Sequence, residues 1–362
     1  MNSVVTFGEI MGRLTPPGFM RLRQCLPGTL HVTFAGAEAN VAASLAFLGA
    51  EAKFVTALPD NDLADACIAA LQSTGVASHI VRAGYGRLGL YFLETGANQR
   101  PSRVLYDRAE STISLTDPAA YDWPSIFAGA DWFHVTGITP AISAAAAEAT
   151  VAAVNAAQQA GLTVSCDLNF RGKLWRWEEG TSPRDLAGRV MSDVLGRVDV
   201  LIANEEDCGD VLGIRAADSD VHSGKLEVDR YPDVARTVVQ RFPGIQMVAT
   251  TLRQSISASY NKWGAMLYEA AEDRAFFAPQ HSGAYSPYEI RNIVDRVGGG
   301  DAFAAGLIFA LRSPDYASSQ EALGFATAAS CLAHSIEGDF NYSSRAEVDA
   351  LAGGSASGRV VR

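Results

Sequence analysis

The chain has 362 residues and a formal net charge of −11 without a long basic run, which argues against a nucleic-acid-binding surface. Hydrophobic residues make up 48% and charged residues 19%, values that exclude disordered and fibrous proteins and are typical of a compact enzyme. The five cysteines are scattered, which predicts reduced thiols, and neither a signal peptide nor a membrane span is expected. We therefore expect a cytoplasmic protein with one large α/β domain and an insertion, or with two domains.

Strands and helices alternate along most of the chain. Strands are predicted over residues 4–8, 31–34, 53–58, 132–135, 163–169, 199–204 and 246–250, and a hairpin arm over residues 262–269. Helices are predicted over residues 41–48, 62–73, 141–160 and 301–311, whereas residues 9–30 are expected to be irregular. This alternation predicts an α/β fold with a doubly wound, mainly parallel sheet flanked by helices.

Two further predicted strands, residues 88–94 and 102–108, have no helix between them. They predict a small β-sheet that projects from the main domain and could act as a lid. We assign residues 13–34 and 84–114 to this β lid, and residues 1–12, 35–83 and 115–362 to the core.

Polar side chains follow several of the predicted core strands. Asn169 and Arg171 come after one strand, and Asn204 and Asp207 after another. Ligands of doubly wound sheets bind outside the carboxyl ends of the strands, so these residues are expected to line a binding site.

Three consecutive glycines, Gly298 to Gly300, precede Asp301 and an apolar, Ala-rich run that predicts a buried helix beginning at Asp301. The unpaired N–H groups at such a helix start can bind an anion, above all a phosphate. A carboxylate beside a phosphate suggests a base in phosphoryl transfer. The alternative is an ordinary Gly-rich turn in which Asp301 is the N-cap.

Other common motifs are absent or out of context. The sequence contains no G-x-x-x-x-G-K-[ST], no protein-kinase catalytic loop, no H-E-x-x-H and no G-x-S-x-G. Residues 84–89 match G-x-G-x-x-G, but they lead into a predicted strand and not a helix, so a dinucleotide site is not predicted there.

Three segments, residues 36–42, 204–207 and 297–303, resemble the landmarks of the ribokinase-like (PfkB-type) carbohydrate kinases, in the order typical of that family. The resemblance covers nearly the whole chain and is strongest to the 2-keto-3-deoxygluconate kinases. It implies a ribokinase-like fold in which ATP phosphorylates a sugar, with Mg²⁺ as cofactor.

The resemblance also implies a set of sugar-binding residues. These are Gly36, Asn40, Tyr91, Tyr106, Arg108, Ile138, Asn169, Arg171 and Asp339. A keto-deoxy sugar acid carries a carboxylate, which Arg108 and Arg171 could bind through their guanidinium groups. Alternatively, tyrosines in paired strands only pack across the sheet and surface arginines are only solvated.

For the phosphoryl group, the resemblance implies that Asp301 is the general base and that Gly298, Gly299 and Gly300 form an anion hole. The family's Asn-x-x-Glu landmark, which helps to place Mg²⁺, is here Asn204-Glu205-Glu206-Asp207. Asp207 is a shorter carboxylate that a bridging water could connect to the ion, and Glu206 is a second candidate ligand.

On the nucleotide side, the residues expected to contact ATP are Asn204, Thr251, Arg253, Gly264 and Ala329. Two departures from the family pattern stand nearby. Arg296 replaces the usual Thr after Asp295 and either adds a phosphate contact or is solvated, and residues 254–263 look like an insertion.

These observations predict a kinase that transfers the γ-phosphoryl group of ATP to the primary hydroxyl of a sugar acid, namely 2-keto-3-deoxygluconate. Two alternatives stay open: a kinase for a neutral sugar such as fructose, and a non-catalytic sugar-binding regulator on the same fold. The exposed edges of a lid sheet also favour a homodimer.

Overall fold

The computed structural model describes residues 2–215 and 228–355. Its strands are β1 Ser3–Phe7, β2 Met11–Thr15, β3 His31–Ala35, β4 Ala52–Pro59, β5 Ala77–Ala83, β6 Gly89–Glu94, β7 Arg103–Asp107, β8 Ala130–Thr136, β9 Thr163–Asp167, β10 Val200–Asn204, β11 Met247–Ser257, β12 Tyr260–Glu269, β13 Arg274–Ala278, β14 Gln280–His281, β15 Ala284–Tyr285 and β16 Tyr288–Ile290. Its α-helices are α1 Leu22–Cys25, α2 Ala37–Phe47, α3 Asp62–Gln72, α4 Thr112–Leu115, α5 Trp123–Ile126, α6 Ala144–Gln159, α7 Pro183–Leu195, α8 Asp207–Leu212, α9 Tyr231–Arg241, α10 Gly299–Arg312, α11 Ser319–Ala333 and α12 Arg345–Ala352.

The main sheet has ten strands in the order β13-β12-β11-β10-β9-β8-β1-β4-β5, with β16 paired to β12. All neighbours from β11 to β5 are parallel, and β12 is antiparallel to both β11 and β13. The predicted doubly wound, mainly parallel sheet is confirmed. None of the described helices is long and apolar enough to cross a membrane.

Helices cover both faces of this sheet, which explains why its central strands read as nearly continuous apolar runs. One core cluster joins α6, α7 and α9 to the sheet, and the other joins α2, α10 and α11 to its opposite face. Strand β8 shows the pattern, since Phe133 contributes to the first cluster and Trp132 to the second.

A separate four-stranded sheet has the order β3-β2-β6-β7. Strand β2 pairs antiparallel with β3 and parallel with β6. The expectation that residues 9–30 are irregular is therefore wrong, because they contain β2 and α1. Gly12 and Arg13 give β2 little strand propensity of its own, so pairing with two neighbours overrides the local signal.

The small sheet lies within or beside the two segments assigned to the lid, and its separate existence is confirmed. The exact division into lid and core stays a prediction. Residues 1, 216–227 and 356–362 of the predicted core lie outside the described part of the chain.

Helix α10 begins at Gly299, two residues before the predicted start. Its N-cap is Gly298, which has a φ of 82°, and no side chain caps the helix. A Cβ at Gly298 would lie 2.3 Å from the carbonyl oxygen of Asp339, so only glycine fits this position. The alternative in which Asp301 is an ordinary N-cap is wrong, because Asp301 is the third residue of the helix.

Residues 254–263, which resembled an insertion, form no separate loop. They belong to the long hairpin of β11 and β12, in which Arg253 pairs with Trp263 and Ser257 with Tyr260. The hairpin extends past the edge of the parallel sheet and brings its residues next to the N-terminus of α10.

Candidate active site

A cavity of about 420 Å³ opens at the carboxyl ends of the parallel strands, between the small sheet and the first turn of α10. Most of the residues predicted for the site line it. They are Gly36, Asn40, Tyr91, Tyr106, Arg108, Ile138, Asn169, Arg171, Asn204, Asp207, Thr251, Arg253, Gly298, Gly299, Gly300, Asp301 and Asp339. The fold thus brings together residues as distant in sequence as Gly36 and Asp339, as expected where parallel strands end at one edge.

Three predicted residues do not line this cavity. Gly264 packs against Tyr285, whose hydroxyl would lie 2.3 Å from a Cβ at that position. Ala329 is fully buried in the core beside α10, and the side chain of Glu206 is exposed. Gly264 and Ala329 therefore pack behind the residues that line the cavity.

Asp301 lines the cavity, and the residue is 8% exposed. Its Oδ2 accepts a hydrogen bond of 2.7 Å from Nδ2 of Asn40. Burial raises the pKa of Asp301 to about 6, with a smaller upward contribution from Asp339, whereas Asn40 and Arg171 lower it. A carboxylate with this pKa can accept a proton near neutral pH.

This pKa predicts a pH dependence of activity. A base must be deprotonated, so kcat/KM is expected to fall about tenfold per pH unit below about pH 6, as Asp301 takes up a proton. The measurement is the pH profile of kcat/KM between about pH 5 and pH 8 at saturating donor. A flat profile over this range would contradict the assignment of Asp301 as the base.

Asn40 is already engaged by the protein in this structure. It donates to Asp301 and its Oδ1 accepts a hydrogen bond of 3.2 Å from the N–H of Gly36. Gly36 is required by close packing, because a Cβ there would lie 1.9 Å from the carbonyl oxygen of Glu9. Asn40 therefore orients the carboxyl group of Asp301 and is within reach of the same ligand.

The two arginines predicted to bind a carboxylate have different surroundings. Arg108 is buried and forms an ion pair with Glu9, to which its Nε donates at 2.8 Å. Arg171 is exposed to the cavity and donates only to the carbonyl oxygen of Phe170 within the described residues. Arg171 forms no ion pair within the described residues, although its charge lowers the pKa of Asp167, Asp207 and Asp301, whereas the charge of Arg108 is largely balanced by Glu9.

Asp339 is held by two residues of the small sheet. Its carboxylate forms an ion pair with Arg13, and the hydroxyl of Tyr91 donates to it at 2.9 Å. Arg13 also pairs with Asp295, whose Oδ1 accepts from the N–H groups of Arg296 and Val297. This buried network, which contains Arg13, Tyr91, Asp295 and Asp339, connects the small sheet to the turn before α10.

Arg13 was not predicted as a site residue, because it lies in the segment 9–30 that was expected to be irregular. Nothing in that segment indicates a buried guanidinium. Burial opposes its charge, yet the adjacent carboxylates of Asp339 and Asp295 raise its pKa above the ordinary value. Asp339 itself has a raised pKa, because burial outweighs the effect of Arg13.

The Asn204–Asp207 segment turns back on itself at the end of β10. The Oδ1 of Asn204 accepts from the N–H of Asp207 at 3.0 Å, and Oδ2 of Asp207 accepts from the N–H of Asn204 at 3.0 Å. Burial raises the pKa of Asp207, whereas the N–H of Asn204, the charge of Arg171 and the N–H of Phe170 lower it. Within residues 2–215 and 228–355, no cluster of three or more His, Cys, Asp or Glu side chains is arranged to hold a metal ion.

Glu205, and not Glu206, is one of the residues that line the cavity. Its Oε2 is buried without a hydrogen-bond partner in the described part of the chain, and its Oε1 lies 3.4 Å from Arg253. Asp167 is a second buried carboxyl group of the lining that the sequence reading did not select. Its position at the end of β9 was the available signal.

The lining also contains Asn261, Trp263, Arg296 and His334 beside Arg253. The hairpin carries Asn261 and Trp263, and the ring of Trp263 contacts that of His334 at a centroid distance of 4.9 Å. From the sequence, Arg296 was expected either to contact a phosphate or to be solvated. The pairing of β11 with β12, which a local sequence pattern does not specify, brings Asn261 and Trp263 into the cavity.

Comparison with known proteins gives consistent results. Residues 1–231 match the family described as pfkB family carbohydrate kinase. The chain is 44% identical to a solved structure of 2-dehydro-3-deoxygluconokinase from Thermotoga maritima, with a TM-score of 0.87 over 98% of this chain and 100% of that chain. It is 32% identical to 2-dehydro-3-deoxygalactonokinase of Haloferax volcanii over 98% of each. A fructokinase of Klebsiella pneumoniae is 29% identical over 86% of this chain and 85% of its own.

Proposed function

Since the chain belongs to the pfkB family of carbohydrate kinases, we propose that it transfers the γ-phosphoryl group of ATP to the primary hydroxyl of 2-keto-3-deoxygluconate or its C4 epimer. The observation that carries this proposal is the buried carboxyl group of Asp301, placed beside the uncapped N-terminus of α10 in the cavity that Arg171 also lines. The names of the two more similar relatives, which act on 2-dehydro-3-deoxy sugar acids, support the substrate class.

In the proposed reaction, Asp301 takes the proton of the sugar hydroxyl while the hydroxyl oxygen bonds to the γ-phosphorus. The bond from this phosphorus to the β–γ bridging oxygen breaks, and its electron pair leaves with ADP. The N–H groups of Gly299 and Gly300 have no acceptor within the helix and can bind the phosphoryl oxygens. Alignment and charge stabilisation supply the rate, because no covalent enzyme intermediate is formed.

The sugar carboxylate would pair with Arg171, an exposed arginine of the cavity lining, in a bidentate arrangement. Arg108 lies near the same region and keeps Glu9 as its partner. Arg108 also positions the ring of Tyr106, since its guanidinium lies 5.5 Å from the centroid of that ring. Gly36, Ile138 and Asn169 would complete the sugar side.

For the donor we propose contacts with Asn204, Thr251 and Arg253. Mg²⁺, when bound with ATP, would offset the charge on the phosphates. The acidic residues of the cavity fit such an ion, because Asp207 lies there and Oε2 of Glu205 is a buried oxygen without a partner in the described chain. Magnesium keeps several waters and needs only one or two protein carboxylates.

The substrate assignment is tested by measuring ADP release over a panel of 2-keto-3-deoxygluconate, 2-keto-3-deoxygalactonate, fructose, ribose and tagatose. We expect kcat/KM for the better sugar acid to exceed that for fructose by at least about 100-fold. A neutral sugar has no carboxylate to pair with Arg171, so the guanidinium group would stay unpaired. Preference for fructose would favour the neutral-sugar kinase, and no turnover of any sugar would favour the non-catalytic regulator.

Arg171→Met provides the discriminating variant in the same experiment, and Lys173→Met, at a nearby exposed residue, is its control. Loss of a charged hydrogen-bonding partner is expected to raise KM for the sugar acid by roughly 10- to 100-fold, with KM for ATP unchanged. If Arg171→Met leaves KM for the sugar acid unchanged, the carboxylate is bound elsewhere or the substrate is neutral.

We further propose that the small sheet is a lid and that the protein works in the cytoplasm.

We also propose that two copies of the chain associate through the small sheet. Val32 on β3 and Leu105 on β7 are more than half exposed, as expected of a face that a partner could cover. Sedimentation that finds only a monomer at micromolar concentration would contradict the homodimer.

A further inference from the structure

Two arginines from different parts of the chain meet on the nucleotide side of the cavity. Arg253 comes from β11, and Arg296 comes from the turn that leads into α10. Burial lowers the pKa of Arg296, and the positive charge of Arg253 lowers it further. The second effect means that the two guanidinium groups lie close enough to repel each other.

Arg296 is held in place by neutral groups. Its Nη2 donates to Oδ1 of Asn261 at 2.8 Å and to Oγ of Ser255 at 3.2 Å. Among residues 2–215 and 228–355, no carboxylate accepts a hydrogen bond from its side chain, and none is among the charges that shift its pKa. Its orientation is therefore fixed by the β11–β12 hairpin while its charge is left without a counterion.

Arg253 is only weakly neutralised. Its one ion pair in the described chain is with Oε1 of Glu205 at 3.4 Å, which is long for a charged hydrogen bond. Its Nε is buried and has no hydrogen-bond partner in that part of the chain. Leaving a buried donor unpaired is costly, so this arrangement favours a ligand that supplies an acceptor.

Both guanidinium groups line the cavity that Gly298, Gly299 and Gly300 also line. An anion with a single charge could satisfy the helix terminus or one arginine. An anion with several adjacent charges could contact all of these groups and would also remove the repulsion between Arg253 and Arg296. The arrangement thus matches a polyphosphate better than it matches a sugar carboxylate.

We propose that Arg253 and Arg296 act together as a clamp for the terminal phosphates of the nucleoside triphosphate, and that Arg296 makes the enzyme select its donor by the charge of the polyphosphate. This proposal rests on the proposed function. When the γ-phosphoryl group moves to the sugar oxygen, the electron pair of the broken bond stays on the ADP oxygen. The clamp lies where it can stabilise this new charge on the leaving group.

The test is the affinity of the full-length protein for ATP, ADP, AMP and inorganic tripolyphosphate, measured by titration calorimetry. We expect Arg296→Gln and Arg253→Gln each to weaken ATP and tripolyphosphate about 10- to 100-fold, to weaken AMP less than about threefold, and to reduce the salt dependence of ATP binding. Arg291→Gln is the matched control, because Arg291 is exposed and pairs with Glu289. It should leave all four affinities unchanged.

An equal loss of AMP and ATP affinity, or unchanged tripolyphosphate binding, would overturn the clamp. Arg296→Lys keeps the charge but not the fork, and should recover part of the affinity. Thermal unfolding of each variant separates loss of the clamp from loss of the fold. If the wild-type protein binds tripolyphosphate through both arginines but phosphorylates no sugar, the clamp stands and the proposed function fails.

Discussion

Replacing Asp301 by Asn is expected to lower kcat by about 10²- to 10⁴-fold, because the carboxamide cannot accept the proton of the attacking hydroxyl. Asp301 is the acidic residue of the first turn of α10, and it lines the cavity. Its pKa of about 6 makes it suitable as a base at neutral pH. The measurement is kcat at saturating ATP and sugar acid.

The structure indicates that Asp301→Asn leaves the fold intact. The oxygen of the new carboxamide can still accept the hydrogen bond from Nδ2 of Asn40, and the substitution removes a buried charge. ATP and sugar-acid affinities, measured by calorimetry, should therefore change by less than about threefold. A variant that phosphorylates sugar at near wild-type rate would show that another group, such as Asp167, takes the proton.

Arg13→Met is expected to reduce the free energy of unfolding by about 3–5 kcal/mol, because it leaves the buried carboxylates of Asp295 and Asp339 without their cation. The side chains of all three are at most 5% exposed, so water cannot replace the guanidinium. Urea unfolding at neutral pH measures the loss. Adding Asp295→Asn to this variant should restore part of the stability, since one uncompensated charge is removed.

Arg87→Met is a suitable control, because Arg87 pairs with Asp107 in an exposed ion pair on the same small sheet. Surface pairs of this kind contribute little, so its unfolding curve should resemble that of the wild-type protein. If Arg13→Met unfolds like the control, the buried network is not a structural connection between the small sheet and the glycine turn.

The main sheet and the location of the cavity were predictable because both depend on local patterns. The apolar runs of β4, β8 and β10 identify buried strands, and Gly298 to Gly300 before an apolar helix indicate an anion site. The polar residues after β9 and β10 follow from the same topology. These signals lie within a few residues of the positions that they predict.

The missed features depend on pairing between distant segments. Arg13 becomes a buried ion only when β2 enters the small sheet, and Trp263 reaches the cavity only through the register of the β11–β12 hairpin. Glu205 and Glu206 both lie within the landmark at residues 204–207. Of the two, only Glu206 was predicted as a metal ligand, yet Glu205 lines the cavity and Glu206 does not. Side-chain direction in an irregular turn cannot be read from spacing alone.

The chain passes between the main sheet and the small sheet at four places, before β2, after β3, before β6 and after β7. Because four connections hold the small sheet, we do not expect it to open by rotation about a single hinge. We expect it to tilt only through a small angle. Arg13 and Tyr91 also connect the small sheet to Asp295 and Asp339, so we expect a tilt of this sheet to move the turn before α10, where we propose that the phosphoryl group binds. We therefore expect sugar entry and the alignment of the phosphoryl donor to be coupled through the same movement.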